Sequence, residues 1–78
     1  MKNLFPKTYT DLKNASYVQD FEISTSGVFI YIKETFLPNF DEKTAYGKNL
    51  KEALKMLKND FWKEIKKQEV NKWNFTNL

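Results

Sequence analysis

Val28-Phe29-Ile30-Tyr31-Ile32-Lys33-Glu34-Thr35-Phe36 is rich in β-branched and aromatic residues, and its reading decides the fold. Such side chains suit a pleated, half-buried surface and lose χ1 freedom in a helix, so the run predicts a strand. Alternation places Val28, Ile30 and Ile32 on one face and Phe29 and Tyr31 on the other. Just upstream, Ser24-Thr25-Ser26-Gly27 is a turn in which Gly27 accepts a positive φ without a Cβ penalty. Before that turn, Tyr17, Gln19, Phe21 and Ile23 alternate with Val18, Asp20, Glu22 and Ser24, which predicts a partner strand and an antiparallel hairpin. Downstream, Leu37-Pro38-Asn39 ends the strand, because Pro38 has no N–H for a ladder and restricts Leu37. Phe40 to Tyr46 reads either as a loop or as carrying a short third strand around Thr44-Ala45-Tyr46.

Gly47-Lys48-Asn49 then opens an amphipathic helix from about Asn49 to Gln68, with Asn49 as its cap and Glu52 at the third helical position. Leu50, Leu54, Leu57, Phe61 and Ile65 share one stripe, flanked by Ala53. Near the start of the chain, Thr8 to Ala15 predicts a short helix capped by Thr8 or Thr10. At the other end, Trp73-Asn74-Phe75-Thr76-Asn77-Leu78 carries two aromatics, so 70–78 is expected to be either a flexible tail or one that docks on the body or on a partner. The expected fold class is α+β in two layers. An antiparallel β-hairpin, or three strands, packs on one long C-terminal helix, with a short N-terminal helix, as one domain over 1–78. One helix covers one face of a sheet, which leaves Phe29 and Tyr31 to be covered by the N-terminal segment, the tail or another molecule.

The chain of 78 residues holds no Cys, no His, no Arg and only two glycines, Gly27 and Gly47. Those absences remove disulfides, thiolate and imidazole metal ligands, the commonest general base and the best bidentate anion donor. A domain this short buries only about 60% of its unfolded surface, so its aromatic content of 17% must supply much of the core. Met1 to Pro6 holds no apolar run suited to a signal peptide, and no stretch approaches the roughly 18 apolar residues of a membrane span. A cytoplasmic protein with no membrane contact is expected. The bias towards Lys, Asn, Phe, Ile and Tyr is what AT-rich codons produce, as in a low-GC bacterial host cell or its mobile elements.

Charge is concentrated on the long helix. Lys48 to Gln68 contains seven Lys and three acids, a balance of +4, while the rest of the chain sums to −1. At about 100° per residue, Lys48, Lys51, Lys55, Trp62 and Lys66 fall in one sector away from the apolar stripe. A solvated helix face would show the same lysines, but an indole well off the core axis is a common interface anchor. These five residues are the candidate partner-binding surface. Phe29 and Tyr31, with Trp73 in the tail, are candidates for stacking on nucleobases or on a partner, although no Lys/Arg-Gly-Phe pattern of an RNA-binding sheet is present. Catalytic residues, metal ligands and cofactors are not expected: there is no phosphate loop, dinucleotide fingerprint or nucleophile elbow, and Asp41-Glu42 lacks the alternating ligands of a calcium loop.

The segment from Val18 to Leu57, with its Ser26-Gly27 turn and its helix start Gly47-Lys48-Asn49-Leu50-Lys51-Glu52-Ala53, resembles the half-domain of HicB-like antitoxins. That resemblance implies an inhibitor that plugs an RNase. In size, composition and lack of catalytic constellations the chain also looks like the small anti-CRISPR proteins of phages and mobile elements, which block RNA-guided nucleases. Both imply a non-catalytic inhibitor of a bacterial nucleic-acid enzyme whose partner is a protein, either a nuclease or a ribonucleoprotein. Direct binding of RNA or single-stranded nucleic acid is the rival expectation, and a homodimer formed through the open sheet face is a third.

Overall fold

The computed structural model describes residues 5–76, with side chains described over 5–70. Helix α1 spans Tyr9–Asn14 and is followed by strands β1 (Val18–Ser24) and β2 (Gly27–Ile32). A 3₁₀ turn at Glu34–Phe36 leads to β3 (Thr44–Gly47). The chain then forms one continuous helical rod, made of α2 (Leu50–Met56), a π turn (Leu57–Phe61) and α3 (Trp62–Thr76). The three strands form an antiparallel meander in the order β1-β2-β3. The α+β class is as expected, and Thr44-Ala45-Tyr46 is indeed strand. Among the described residues, no helix is long and apolar enough to cross a membrane.

Local chemistry accounts for the element ends. Thr8, not Thr10, caps α1: its Oγ1 accepts from Asp11 N at 3.1 Å, while the Asp11 carboxylate accepts from Thr8 N at 3.1 Å and Lys7 N at 2.8 Å. This reciprocal box satisfies donors that the helix itself leaves orphaned. The Asn49 side chain accepts from Glu52 N at 3.0 Å, and Glu52 Oε1 accepts from Lys48 N at 3.2 Å. Gly27 sits at φ +141° where β2 leaves the turn, and an added Cβ would lie 2.3 Å from the Gly47 carbonyl oxygen.

Two strand readings are corrected. The alternation in β1 breaks at a bulge: Val18 pairs with Ile32, yet Asp20 pairs with Tyr31, leaving Gln19 as the extra residue. The bulge shifts parity, so Val18 joins Phe21 on the core face instead of pointing out with Asp20, and Tyr17 is buried as well. The second strand stops at Ile32 rather than running to Phe36. Lys33 and Glu34 turn the chain so that Phe36 and Leu37 enter the core behind the sheet.

The core lies between one sheet face and the helices. Val28, Ile30, Ile32 and Ala45 meet Ala53, Leu57, Phe61 and Ile65 from the long rod, together with Leu12 from α1. Tyr9 stacks on Phe21 with centroids 5.5 Å apart, and Phe21 lies opposite Ile30. Helix α1 therefore shares the core face with the rod, and it does not cover Phe29 and Tyr31. The rod stays helical through Thr76; Val70, where the expected tail begins, is exposed, and the side chains after it, Trp73 included, lie outside those described.

Candidate functional site

The π turn decides which residues the rod shows to solvent. One residue extra per turn rotates everything after it by roughly 100° relative to an unbroken α-helix. Trp62 therefore swings from the lysine sector to the margin of the core. Its ring stands edge-on to Phe5 at 5.0 Å and 87°, and to Tyr17 at 5.6 Å and 71°. It is half-buried, packed with the core cluster rather than standing clear in solvent.

The same rotation redistributes the lysines. Lys48 precedes the rod, and Lys51 and Lys55 occupy the exposed side of α2. Beyond the π turn, Lys63 and Lys67 continue their line at steps of four residues, with exposed Asn59 between, and exposed Lys66 moves towards the Trp62 flank. Lys58, also exposed, holds its Nζ 6.0 Å from the Phe5 ring centroid, which places it on that flank too. The solvent row is thus Lys51, Lys55, Lys63 and Lys67, of which the sequence reading identified the first two. A signal for the rest was present: averaged separately, Leu50, Ala53, Leu54 and Leu57 point roughly 75° away from Phe61, Trp62 and Ile65 on a straight helix. An apolar stripe that jumps in phase marks an inserted residue.

None of the lysines of the row forms an ion pair among the described residues. Three of the acids on the rod hold other donors, Glu69 among them by accepting from Ser16 Oγ at 3.4 Å, while Asp60 lies near Lys55 without an ion pair to it. Glu52 holds the Lys48 backbone N–H, and Glu64 Oε2 accepts from Gln68 Nε2 at 2.7 Å. Asp60 joins Glu52, Lys55, Met56 and Asn59 around an open groove of about 350 Å³ beside Tyr46. The Tyr46 backbone N–H, on the outer edge of β3, points to the Met56 thioether at 3.4 Å. Thioether sulfur is a weak acceptor.

The outer sheet face has the opposite character. Directly opposed residues share a face, so the register builds two cross-strand rows: Glu22-Phe29-Tyr46 and Asp20-Tyr31-Thr44. Phe29 and Tyr46 lie with centroids 6.3 Å apart and planes 33° off parallel. The Tyr31 hydroxyl donates to Glu22 Oε1 at 2.9 Å, and this bond to the carboxylate holds the phenol above its ordinary pKa. Phe29 and Tyr31 are half-buried among their neighbours, and Tyr46 is 50% exposed. Phe29 and Tyr31 stand together on this face, and the carboxylates of Asp20 and Glu22 beside them oppose a phosphate backbone. The sequence reading missed Tyr46, whose role depends on β3 pairing in this register.

No family model matches this chain, and no curated protein or solved structure does either.

Proposed function

We propose that this chain is a non-catalytic binding protein, an inhibitor of a bacterial nucleic-acid enzyme, and that the solvent side of its long helix carries the contact with a polyanionic partner surface. The observation that supports this reading is the row Lys51, Lys55, Lys63 and Lys67, exposed and without carboxylate partners among the described residues. Four ammonium groups, spaced four, eight and four residues apart, span about 24 Å of helix, enough to follow a stretch of guide RNA or the acidic rim of a nuclease. Unpaired, strongly hydrated lysines steer an anionic partner and add salt-sensitive affinity. Lys48 and Lys66 extend the row at its start and along its flank. Trp62 adds at most its exposed part.

The test is interference in cells. Bacteria carrying RNA-guided nuclease systems of different types, or RNase toxins of antitoxin-controlled pairs, are challenged while expressing the chain. Relief from at least one such enzyme is expected, and the triple variant Lys51→Glu/Lys55→Glu/Lys63→Glu is expected to lose it while melting as the parent does. Relief that survives the triple variant removes the helix as the contact, and an absence of relief across the whole set overturns the inhibitor reading. Salt dependence identifies the anion. If about four phosphates are neutralised, affinity falls roughly 50- to 150-fold between 50 and 200 mM salt, whereas a packed protein surface loses far less.

A further inference from the structure

We infer that the outer face of the sheet is a second docking surface, and that its occupant is the Arg- and Lys-lined groove of a nucleic-acid-binding protein. Charge complementarity carries the inference. In a chain with a formal charge of +3, this face presents Asp20 and Glu22 and no lysine in either of its cross-strand rows. The two carboxylates stand two residues apart on β1, about 6.6 Å along the strand. Beside them lie Tyr31, Phe29 and Tyr46, whose ring faces attract a guanidinium or ammonium group through their quadrupoles. Rings beside a pair of anions are, in kind, what a basic groove takes from the bases and phosphates of a nucleic-acid strand.

The hydrogen bond from the Tyr31 hydroxyl to Glu22 Oε1 holds that carboxylate over the face and leaves its other oxygen free for an incoming donor. RNA is disfavoured here because its phosphates would meet the same carboxylates. A second copy of this chain, offering its lysine row, would instead raise the solution mass with concentration. Tyr46 of the face and Lys55 of the row line one groove, so the two surfaces adjoin at the β3 edge, while Asp20 and Glu22 stand on β1 at the far edge of the sheet; a variant of those carboxylates leaves every lysine of the row in place and tests the face separately.

The experiment uses fluorescein-labelled nona-arginine as the probe and backbone amide NMR of the full chain as the readout. Expected are shift changes concentrated at Glu22, Phe29, Tyr31 and Tyr46, and a loss of affinity of at least tenfold in Asp20→Asn/Glu22→Gln. Tyr46→Ala changes no charge, so a threefold or greater loss there separates the ring-bearing face from general attraction between a polycation and the ten acids of the chain. Shifts centred instead on Glu34, Asp41 and Glu42, or a Tyr46→Ala variant that binds as the parent does, overturn the proposal. So does a solution mass that rises with concentration and returns to the monomer value in both Glu22→Gln and Lys55→Glu, since the face would then be taken by a second copy.

Discussion

Trp62 presents its indole edge-on to Tyr17, with ring centroids 5.6 Å apart and planes inclined at 71°. The contact ties the rod to the segment between α1 and β1, and Phe5 makes a second T-shaped contact with the indole at 5.0 Å. Removing the ring therefore removes packing between elements distant in sequence. Trp62→Ala is expected to destabilise the fold by about 2–4 kcal/mol, somewhat below the range for a fully buried Trp, while Trp62→Phe recovers much of that. Urea titration with an unchanged m-value checks it. A loss under about 0.5 kcal/mol, as for an ordinary surface position, would return the indole to solvent.

The π turn makes the rod tolerant of one particular deletion. Asn59 is exposed inside the turn, and without it the segment closes as regular α-helix while Phe61, Trp62 and Ile65 keep their orientation towards the core. The Asn59 deletion is expected to leave the melting temperature within about 5 °C. Deleting exposed Lys63 instead would rotate Ile65 away from the core by roughly 100° and unfold a domain this small. Equal damage from the two deletions, read by circular dichroism melting, would show that the π turn is not the inserted residue it is taken to be here.

Legibility followed the range of the interaction. The Asn49 cap with Glu52, the Gly27 turn, and the core face Val28-Ile30-Ile32 are set within a few residues, and the sequence carried them. What escaped it depends on contacts between distant segments. The bulge at Gln19 forms because Tyr17 and Val18 both find burial, Tyr17 between Phe36 and Trp62, and nothing near Gln19 announces that. A uniform 100° per residue puts Trp62 among the lysines; the π turn breaks that uniformity, moving Trp62 to the core margin and bringing Lys63 and Lys67 into the row. The outer face could be named only as Phe29 and Tyr31 until β3 supplied Tyr46 and its register.

Gly47 is expected to reject a side chain. A Cβ there would lie 2.5 Å from Ala53 N and 2.5 Å from Glu52 Cβ, because β3 ends directly against the first turn of α2. Neither backbone can yield without moving the strand or the helix start. Gly47→Ala should cost about 1–3 kcal/mol from overpacking, measured by chemical denaturation. A neutral result would mean that α2 can slide along β3.

Alkaline pH should expose the burial of Tyr17. Desolvation, reinforced by the carboxylates of Glu69 and Asp11, pushes its phenol well above the ordinary tyrosine value of 10.0. The sign follows from which state keeps the proton. Below pH 10 the phenol is neutral in both states and the contribution is fully present; above it the unfolded chain ionises while the folded chain stays neutral, so stability falls as pH rises. The slope reaches at most about 1.4 kcal/mol per pH unit for one such group. The Tyr17 hydroxyl makes no hydrogen bond among the described residues, so Tyr17→Phe should match the parent near pH 7 and lose less stability between pH 10 and 11.5. Lysine deprotonation affects both proteins alike, and the difference between their two curves isolates the phenol. Parallel curves over that interval would place the hydroxyl in water and separate the Tyr17 ring from the burial assigned to it.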